Sequence, residues 1–401
     1  MIIDKPFLEF VNEHAKDNVY DLLLKSEHFP GIDVRTAATS IVARKKLIQK
    51  VPDWNTVKAL VFPNTINAEQ ASSYLTAKYK QRFCDGNVTI DITGGYGVDS
   101  YYLSKVSSEL YYIEADPEVF EATKHNFNTL DVDNVKFYNC TVDKGTLSGL
   151  KLPYASLLYI DPARRSHTAK RVYAIDDCNP DLLAIKEELL SISTNILVKA
   201  SPMLDITESL RLIPEIAEVH ILSINNECKE LLFLIKREAS VRSSIRNIPV
   251  FTVNFTKHRV EEFNFILDRE KDLNPEYLHG EPLEYLYEPN SSIIKSGAFS
   301  TIAICYTLYK LARHTHLYSS KIKVPNFPGR SFQIIDSIEY KKKFISKLKS
   351  IYPKANITTR NFPLTTEGLK RALGISDGGD IFIFGCTTGD KKMLIICKKS
   401  D

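Results

Sequence analysis

The sequence lacks the features that would direct a chain into a membrane, a secretory route or a metal centre. No apolar run reaches the about 18 residues that a membrane-spanning helix needs, and no basic-then-apolar leader stands at its beginning. Neither a membrane span nor a secretory signal is therefore expected. The nine histidines show no H-x-x-x-H pattern on a predicted helix, so we expect no metal.

Cysteine usage excludes further classes of protein. The seven cysteines are scattered, odd in number and contain no C-x-x-C pair. This pattern argues against a zinc ribbon or an iron–sulfur site and indicates reduced thiols, as in the cytoplasm. The remaining composition is that of a soluble globular protein, with 44% hydrophobic and 25% charged residues.

Two common phosphate-binding motifs are also missing, namely G-x-x-x-x-G-K-[ST] and G-x-G-x-x-G. A different glycine-rich turn is present, Gly94-Gly-Tyr-Gly97, which follows the β-like run Val88-Thr-Ile-Asp-Ile-Thr93 and precedes a predicted helix. The next β-like run ends on acidic residues, at Glu114 and Asp116. This order predicts a βαβ unit that binds a nucleoside.

Each part of this unit has a physical role. Gly94, Gly95 and Gly97 allow a tight turn and a close approach of the backbone to a ligand. Glu114 lies 20 positions after Gly94, where an acidic side chain accepts hydrogen bonds from a ribose diol in such folds. With Asp91, the pattern D-x-x-G-G-x-G resembles the first signature of class I S-adenosylmethionine-dependent methyltransferases.

The length of 401 residues predicts more than one domain. We expect an N-terminal helical region (1–80), a cofactor-binding α/β domain (81–238) and two small α+β modules (239–325 and 326–401). Residues 68–83 are predicted to form one amphipathic helix. Seven strands are predicted in the α/β domain, at 88–93, 110–115, 135–139, 155–160, 194–199, 217–224 and 230–236.

The last two of these strands are separated only by the polar turn 225–230, which is too short for a crossover helix. They should therefore pair antiparallel, whereas the preceding βα units imply parallel strands. A sheet of seven strands that ends in such a hairpin is the Rossmann-like architecture of class I methyltransferases.

The net charge of +3 conceals an uneven distribution. Residues 321–401 contain 16 Lys and Arg against 7 Asp and Glu, a net of +9, whereas the other residues contain 36 against 42, a net of −6. A basic terminal module would favour an anionic polymer such as a nucleic acid. A solvated lysine-rich helix face is the alternative interpretation.

The fourth predicted strand ends in Asp161-Pro-Ala-Arg-Arg165. Because ligands bind at the carboxyl ends of parallel strands, this loop should face the ligand of the glycine turn. Arg164 and Arg165 would hold a phosphate or carboxylate through their planar forks. Lys199 and Glu230 stand at the ends of adjacent predicted strands; they are either neighbours of Asp161 in the site or a structural ion pair across the sheet.

These segments together resemble a bacterial methyltransferase family that carries a ferredoxin-like insert and a C-terminal THUMP-like domain. The resemblance covers most of the chain and includes Asp161-Pro-Ala-Arg-Arg165, Val198-Lys-Ala-Ser-Pro202 and Tyr285-Leu-Tyr-Glu-Pro289. It implies S-adenosylmethionine as the cofactor and, by analogy with THUMP proteins, an RNA substrate.

The resemblance also assigns residues to the cofactor. Asp91, Gly94, Gly95 and Gly97 would surround the methionine end and the sulfonium. Glu114 or Asp116 would take the ribose hydroxyls. The acidic residue that contacts adenine in the family would correspond to Asp143, although the usual position falls near Thr141. Gln70 and Ser72 would close over the cofactor, or simply pack their helix.

The strand-four motif restricts the reaction. Ala163 and Arg164 stand where enzymes that methylate exocyclic base amines have proline and an aromatic ring, and no thiol follows the fifth strand. We therefore expect direct methyl transfer, with Asp161 as general base or substrate orienter. The alternatives are a methyltransferase of a small anionic metabolite and a non-catalytic, cofactor-binding factor that associates with RNA.

Overall fold

The structure is a computed structural model that describes residues 3–164, 178–238, 247–341 and 348–400. The chain divides into two compact units. Unit 1 comprises Met1–Ala217 and Glu230–Arg242, and unit 2 comprises Glu218–Lys229 and Ser243–Asp401. The expected bounds of the four segments stay a prediction. No helix in the described ranges has both the length and the apolar character that a membrane crossing requires.

The first part of unit 1 is helical, as the spacing of its apolar residues predicts. Side chains of Asp4, Asn18, Asp33, Asn64 and Ser73 accept backbone N–H groups at the helix starts. The helices are α1 (Lys5–Glu13), α2 (Val19–Leu24), α3 (Val34–Lys50), α4 (Thr65–Gln70) and α5 (Tyr74–Lys80).

The prediction of one helix over 68–83 is wrong. Helix α4 ends at Gln70, Ala71 adopts an extended ψ of 142°, and Ser73 then caps α5. Serine offers the backbone a cap in place of continued helix, which is the local reason for the break. The break matters because it turns Ser72 towards the interior, where it is 3% exposed.

The core of unit 1 is a largely parallel sheet. The elements between residues 86 and 236 are β1 (Gly86–Asp91), α6 (Val98–Ser104), β2 (Ser107–Glu114), α7 (Pro117–Thr129), β3 (Val135–Asn139), α8 (Thr146–Gly149), β4 (Ala155–Ile160), β5 (Ala163–Arg164), β6 (Cys178–Asn179), α9 (Leu182–Ile192), β7 (Ser193–Ala200), α10 (Ile206–Leu212), β8 (Ile216–Ile224) and β9 (Glu227–Lys236). The strand order in this sheet is β9-β7-β4-β1-β2-β3. Strands β1, β2, β3, β4 and β7 run parallel, and β9 runs antiparallel to β7.

All seven predicted strands are present, and the central ones are buried on both faces. From Leu157 to Ile160, every residue of β4 is at most 1% exposed. Helices cover both faces of a parallel sheet, so such strands appear in the sequence as continuous apolar runs. The expected α/β fold class is confirmed.

The expected hairpin between β8 and β9 is also confirmed. Its turn consists of Asn225 and Asn226, which have φ values of 49° and 64°. Two consecutive positive φ values are the geometry of a tight hairpin turn, and asparagine tolerates them well. At the open end of the hairpin, the Lys236 N–H donates to the Glu215 carbonyl at 3.0 Å.

Unit 2 contains two sets of strands. Its elements after residue 247 are β10 (Pro249–Phe255), β11 (Val260–Ile266), β12 (Tyr285–Pro289), α11 (Ser291–Ser296), α12 (Phe299–Cys305), β13 (Tyr309–Lys310), β14 (Tyr318–Ser320), β15 (Gly329–Glu339), β16 (Asn356–Arg360), α13 (Thr366–Leu373), β17 (Ile381–Thr388) and β18 (Lys391–Lys399). Strand β10 pairs in parallel with β8 and antiparallel with β11. A second sheet has the order β13-β14-β12-β15-β18-β17-β16.

A buried carboxylate joins three strands of this second sheet. Glu288 on β12 is 2% exposed and pairs with Arg330 on β15 and with Arg360 on β16, the latter at 2.7 Å. A charge with so little access to water is tolerated because two guanidinium groups offset its lost hydration.

We expect Glu288→Gln to lower the free energy of unfolding of the protein by about 1–3 kcal/mol, because both arginines lose their anionic partner. Urea denaturation would measure the change. The matched control is Lys341→Met, which breaks an exposed pair with Glu339 and should cost less than about 1 kcal/mol. Equal midpoints for Glu288→Gln and the wild type would contradict this role of the carboxylate.

Candidate functional site

The glycine turn leads from β1 into α6 at the carboxyl edge of the parallel strands. Gly95 and Gly97 have φ values of 52° and 69°, in the left-handed region where glycine is favoured. A Cβ on Gly94 would lie 2.1 Å from the Tyr112 ring, and one on Gly97 would lie 2.5 Å from Phe127. Two of the three glycines are thus required by the protein's own packing, whereas a Cβ on Gly95 would meet nothing closer than 4.0 Å.

A cavity of about 270 Å³ opens beside this turn. Its walls come from the turn itself, the ends of β1, β2 and β4, and the break between α4 and α5. The lining residues are Asn67, Gln70, Ala71, Ser72, Asp91, Ile92, Thr93, Gly94, Gly95, Tyr96, Gly97, Val98, Asp99, Glu114, Ala115, Cys140, Thr141, Val142, Tyr159, Asp161, Ala163, Asn179 and Pro180.

Asp91 lies at the end of β1 and is 1% exposed. Its carboxylate accepts the Thr93 N–H at 3.0 Å and the Ser100 hydroxyl. Burial raises the pKa of Asp91 to about 7, even though these two hydrogen bonds act in the opposite direction. The carboxylate therefore gains its charge near neutral pH.

Glu114 lines the cavity and ties the glycine turn to β2. Its Oε2 accepts the Gly95 N–H at 2.7 Å, and its Oε1 accepts the Asp116 N–H at 2.8 Å. Each carboxylate oxygen keeps a further lone pair, so a ligand hydroxyl can still donate to it.

Two expected cofactor residues do not line the cavity. Asp116 caps α7, where its carboxylate accepts the N–H groups of Glu118 and Val119. Asp143 is exposed and precedes α8, while Cys140, Thr141 and Val142 form that part of the wall. Of Glu114 and Asp116, only Glu114 lines the cavity, and its assignment as the ribose acceptor stays a prediction.

Asp161 follows β4 and faces the cavity, with 39% of its side chain exposed. Its Oδ2 accepts from the Lys199 ammonium at 2.6 Å, and its backbone N–H donates to the Thr93 hydroxyl. Burial alone would lower the pKa of Lys199, but attraction to Asp161 and Glu230 raises that pKa above its usual value. Lys199 is therefore a permanent cation beside Asp161.

A second buried pair lies behind the cavity wall. Lys80 on α5 has no exposed side-chain surface, and its ammonium contacts Asp99 at 2.8 Å and Glu230 at 2.7 Å. Asp99 also accepts the hydroxyl groups of Ser72 and Tyr159, both at 2.8 Å. Burial acts to raise the pKa of Asp99, but the positive charges of Lys80 and Lys199 outweigh it and hold that pKa below its usual value.

We call Lys80, Asp99, Glu230, Lys199 and Asp161 the buried charge cluster. Glu230 forms its ion pair with Lys80, and Lys199 forms its ion pair with Asp161. The sequence-based alternative, in which Lys199 and Glu230 pair with each other, therefore named the wrong partners. The sequence interpretation missed Lys80, because a lysine near the end of an amphipathic helix resembles a surface residue. A weak signal for a buried cationic partner existed in Asp99, an acidic residue two positions after Gly97 in a largely apolar stretch.

Of the two arginines in the strand-four motif, the structure describes the backbone of Arg164 only. Arg164 belongs to β5, which pairs with β6 through Arg164 and Cys178. Arg165 lies outside the described residues. Their assignment as substrate-binding residues stays a prediction.

The charge of the cavity wall favours a cationic ligand. Asp91, Asp99, Glu114 and Asp161 line it; Asp99 and Asp161 are paired with Lys80 and Lys199, whereas Asp91 and Glu114 have no lysine or arginine partner among the described residues. A phosphate would be repelled by such a wall, whereas a sulfonium or ammonium group would be attracted. In the described part of the chain, no group of three or more His, Cys, Asp and Glu could hold a metal ion.

Comparisons with known protein families match two adjacent stretches of unit 2. A family model for a ferredoxin-like domain matches residues 285–328, and one for a THUMP-like domain matches residues 329–399. No curated protein matches the sequence.

Solved structures match over different lengths. A "putative methyltransferase" from Porphyromonas gingivalis W83 is 32% identical, with a TM-score of 0.90 and coverage of 98% of each chain. An rRNA methylase from Streptococcus thermophilus is 14% identical over 41% of this chain and 95% of its own, with a TM-score of 0.29. Precorrin-6y C5,15-methyltransferase from Geobacter metallireducens GS-15 is 15% identical over 40% and 85%, with a TM-score of 0.30.

The raised pKa of Asp91 predicts that Asp91→Asn stabilises the protein, and more so at high pH. Unfolding returns the carboxyl to its ordinary pKa of 3.8, so the wild type loses stability as pH rises from about 4 to about 7. Asparagine does not titrate. The gain in unfolding free energy should therefore be about 2–3 kcal/mol larger at pH 8 than at pH 5.

Urea denaturation of both proteins at the two pH values measures this difference. Asp133→Asn, at an exposed position of unit 1, is the control and should show no such dependence. A gain that is independent of pH would mean that Asp91 titrates normally in the folded protein.

Proposed function

The chain belongs to the family of the Porphyromonas gingivalis protein, a methyltransferase family with ferredoxin-like and THUMP-like domains, and we propose that it transfers a methyl group from S-adenosylmethionine to RNA. The observation that carries the cofactor assignment is the cavity wall: four carboxylates lie beside a glycine turn, and two of them, Asp91 and Glu114, have no lysine or arginine partner among the described residues. S-adenosylmethionine carries a sulfonium and an ammonium group, so this wall fits it better than a phosphate-bearing nucleotide.

Different residues of the cavity would contact different parts of the cofactor. Gly95 leaves open space where a ligand would contact the turn. Glu114 would accept the ribose hydroxyls through its remaining lone pairs. Asp91, charged above about pH 7, would attract the ammonium group.

When bound, S-adenosylmethionine supplies an electrophilic methyl group. Asp161 is suited to orient the attacking group or take its proton, because Lys199 holds only Oδ2 and leaves Oδ1 without a hydrogen bond from any described residue. Proximity and orientation would then provide most of the rate.

The wall also contains one thiol, at Cys140. Burial raises the pKa of Cys140, so it stays protonated near neutral pH, and a protonated thiol is a poor nucleophile. This supports direct transfer without a cysteine nucleophile. All seven cysteines are free thiols, which supports a reducing location such as the cytoplasm.

The RNA assignment rests on charge in unit 2. Beyond the net of +9 over residues 321–401, a cleft of about 570 Å³ is lined by Lys323 and Lys399 and by Arg259 and Arg330, the latter paired with the buried Glu288. The acid in its lining, Glu261, has an 8% exposed side chain and is neutralised by Arg259 at 2.9 Å. A concave basic surface of this kind suits a phosphodiester backbone.

We expect Asp161→Asn to lower kcat at least about 100-fold, because the amide neither accepts a proton nor orients a donor as the carboxylate does. Binding of the cofactor should change less than about threefold. Methyl transfer to RNA from a strain that lacks the gene, followed by nucleoside mass spectrometry, measures the reaction.

Calorimetry with S-adenosylhomocysteine measures the binding. Asp133→Asn is the control for the loss of one negative charge. Full activity of Asp161→Asn would remove Asp161 from the reaction, and absence of any binding by the wild type would remove the cofactor assignment.

A double variant, Lys323→Glu with Lys399→Glu, should weaken RNA binding at least tenfold and reduce the salt dependence of its affinity. Each lysine that contacts a phosphate contributes about one unit to the slope of log K against log salt. The control is Lys16→Glu with Lys25→Glu, two exposed lysines of unit 1.

Filter binding at several salt concentrations measures the effect. If both double variants bind RNA equally well, the cleft is not the RNA surface. If RNA neither binds nor accepts methyl groups while a small anionic metabolite does, the metabolite alternative replaces the RNA proposal.

A further inference from the structure

The break between α4 and α5 forms one wall of the cavity. Asn67, Gln70, Ala71 and Ser72 all line it, although these residues precede the glycine turn by more than 20 positions. The path of residues 67–72 thus contributes to the shape of the proposed cofactor site as directly as the turn does. We call residues 67–72 the wall segment.

Lys50, the last residue of α3, fixes one end of the wall segment. Its ammonium donates to the carbonyl oxygens of Ala68 at 3.0 Å, Glu69 and Ala71 at 2.9 Å. Carbonyls at the end of a helix have no partner within the helix and carry partial negative charge. A cation from another helix thus provides a partner for three carbonyls at the end of α4.

The other end of the wall segment is fixed by the buried charge cluster. The Ser72 hydroxyl donates to Asp99 at 2.8 Å and accepts from the Lys80 ammonium at 3.1 Å. Both attachments lie at backbone or at a short side chain, so the residues between them have little freedom to shift.

Gln70 lies between these attachments along the chain, and Asn67 directly precedes Ala68, the first residue that Lys50 contacts. Both line the cavity, and neither side-chain amide has a hydrogen-bond partner among the described residues. An amide offers two N–H donors without a charge. In a wall with four carboxylates and no described cation, these donors are well placed for an anionic group.

S-adenosylmethionine has one such group, the carboxylate of its methionine part. We propose that Asn67 and Gln70 bind this carboxylate and that Lys50 is the positioning residue that presents them. The proposal rests on the proposed cofactor. It gives the acidic cavity a way to bind a zwitterionic end: carboxylates of the protein attract the ammonium, and neutral donors take the carboxylate.

The test compares two ligands that differ only in this carboxylate, S-adenosylmethionine and decarboxylated S-adenosylmethionine, by calorimetry without acceptor. The double variant Asn67→Leu with Gln70→Met keeps side-chain size and removes the donors. It should weaken binding of S-adenosylmethionine at least tenfold and binding of the decarboxylated ligand less than twofold. Equal weakening of both ligands would overturn the carboxylate assignment.

Lys50→Met should reduce the preference for the carboxylate-bearing ligand about fivefold, raise the KM for S-adenosylmethionine and leave kcat within twofold. Lys50→Arg should restore the preference, because its guanidinium can also donate to the carbonyls. The matched control is Lys45→Met, which removes an exposed lysine of the same helix that contacts the Asp17 carbonyl and no described residue of the wall segment.

The outcomes separate the two proposals. A wild-type protein that binds neither ligand refutes the proposed cofactor itself. A wild-type protein that binds both equally well refutes only the carboxylate site. If Lys50→Met does not fold, the double variant at the wall segment still decides the carboxylate assignment, and Lys50→Arg decides the positioning role.

Discussion

The buried charge cluster is the constraint on which the arrangement of the site depends. Lys80 comes from α5, Asp99 from α6 and Glu230 from β9, and the ammonium is within 2.8 Å of both carboxylates. A buried ion that loses its partner is strongly destabilising, so these three elements must adopt one relative position. That position sets the wall segment through Ser72 and the floor of the cavity through Asp99 and Tyr159.

The same site accumulates negative charge at a cost to the folded state. No lysine or arginine among the described residues pairs with the buried Asp91, and burial raises its pKa to about 7. A side chain chosen for stability alone would be apolar or neutral at this place. A carboxylate at this place is consistent with a cationic ligand, because a bound cation would stabilise the charged form and offset part of the cost of its burial.

Sequence patterns predicted most of the fold and part of the site. The seven strands, the hairpin at Asn225 and the position of Glu114 beside the glycine turn all follow from local signals. The single helix over 68–83 was wrong because helical periodicity does not reveal a cap at Ser73. Asp116 was a reasonable ribose acceptor by spacing, but it caps α7 and does not line the cavity.

What the sequence by itself determined is local: apolar runs that become buried strands, a glycine turn with positive φ, and two asparagines that make a hairpin. Only the tertiary structure decided the partners of the charges. Lys80 and Glu230 are 150 positions apart, and Lys199 pairs with Asp161 from another strand. Turn and strand preferences act between near neighbours along the chain, whereas an ion pair depends on distance in space, which exists only once the sheet has formed.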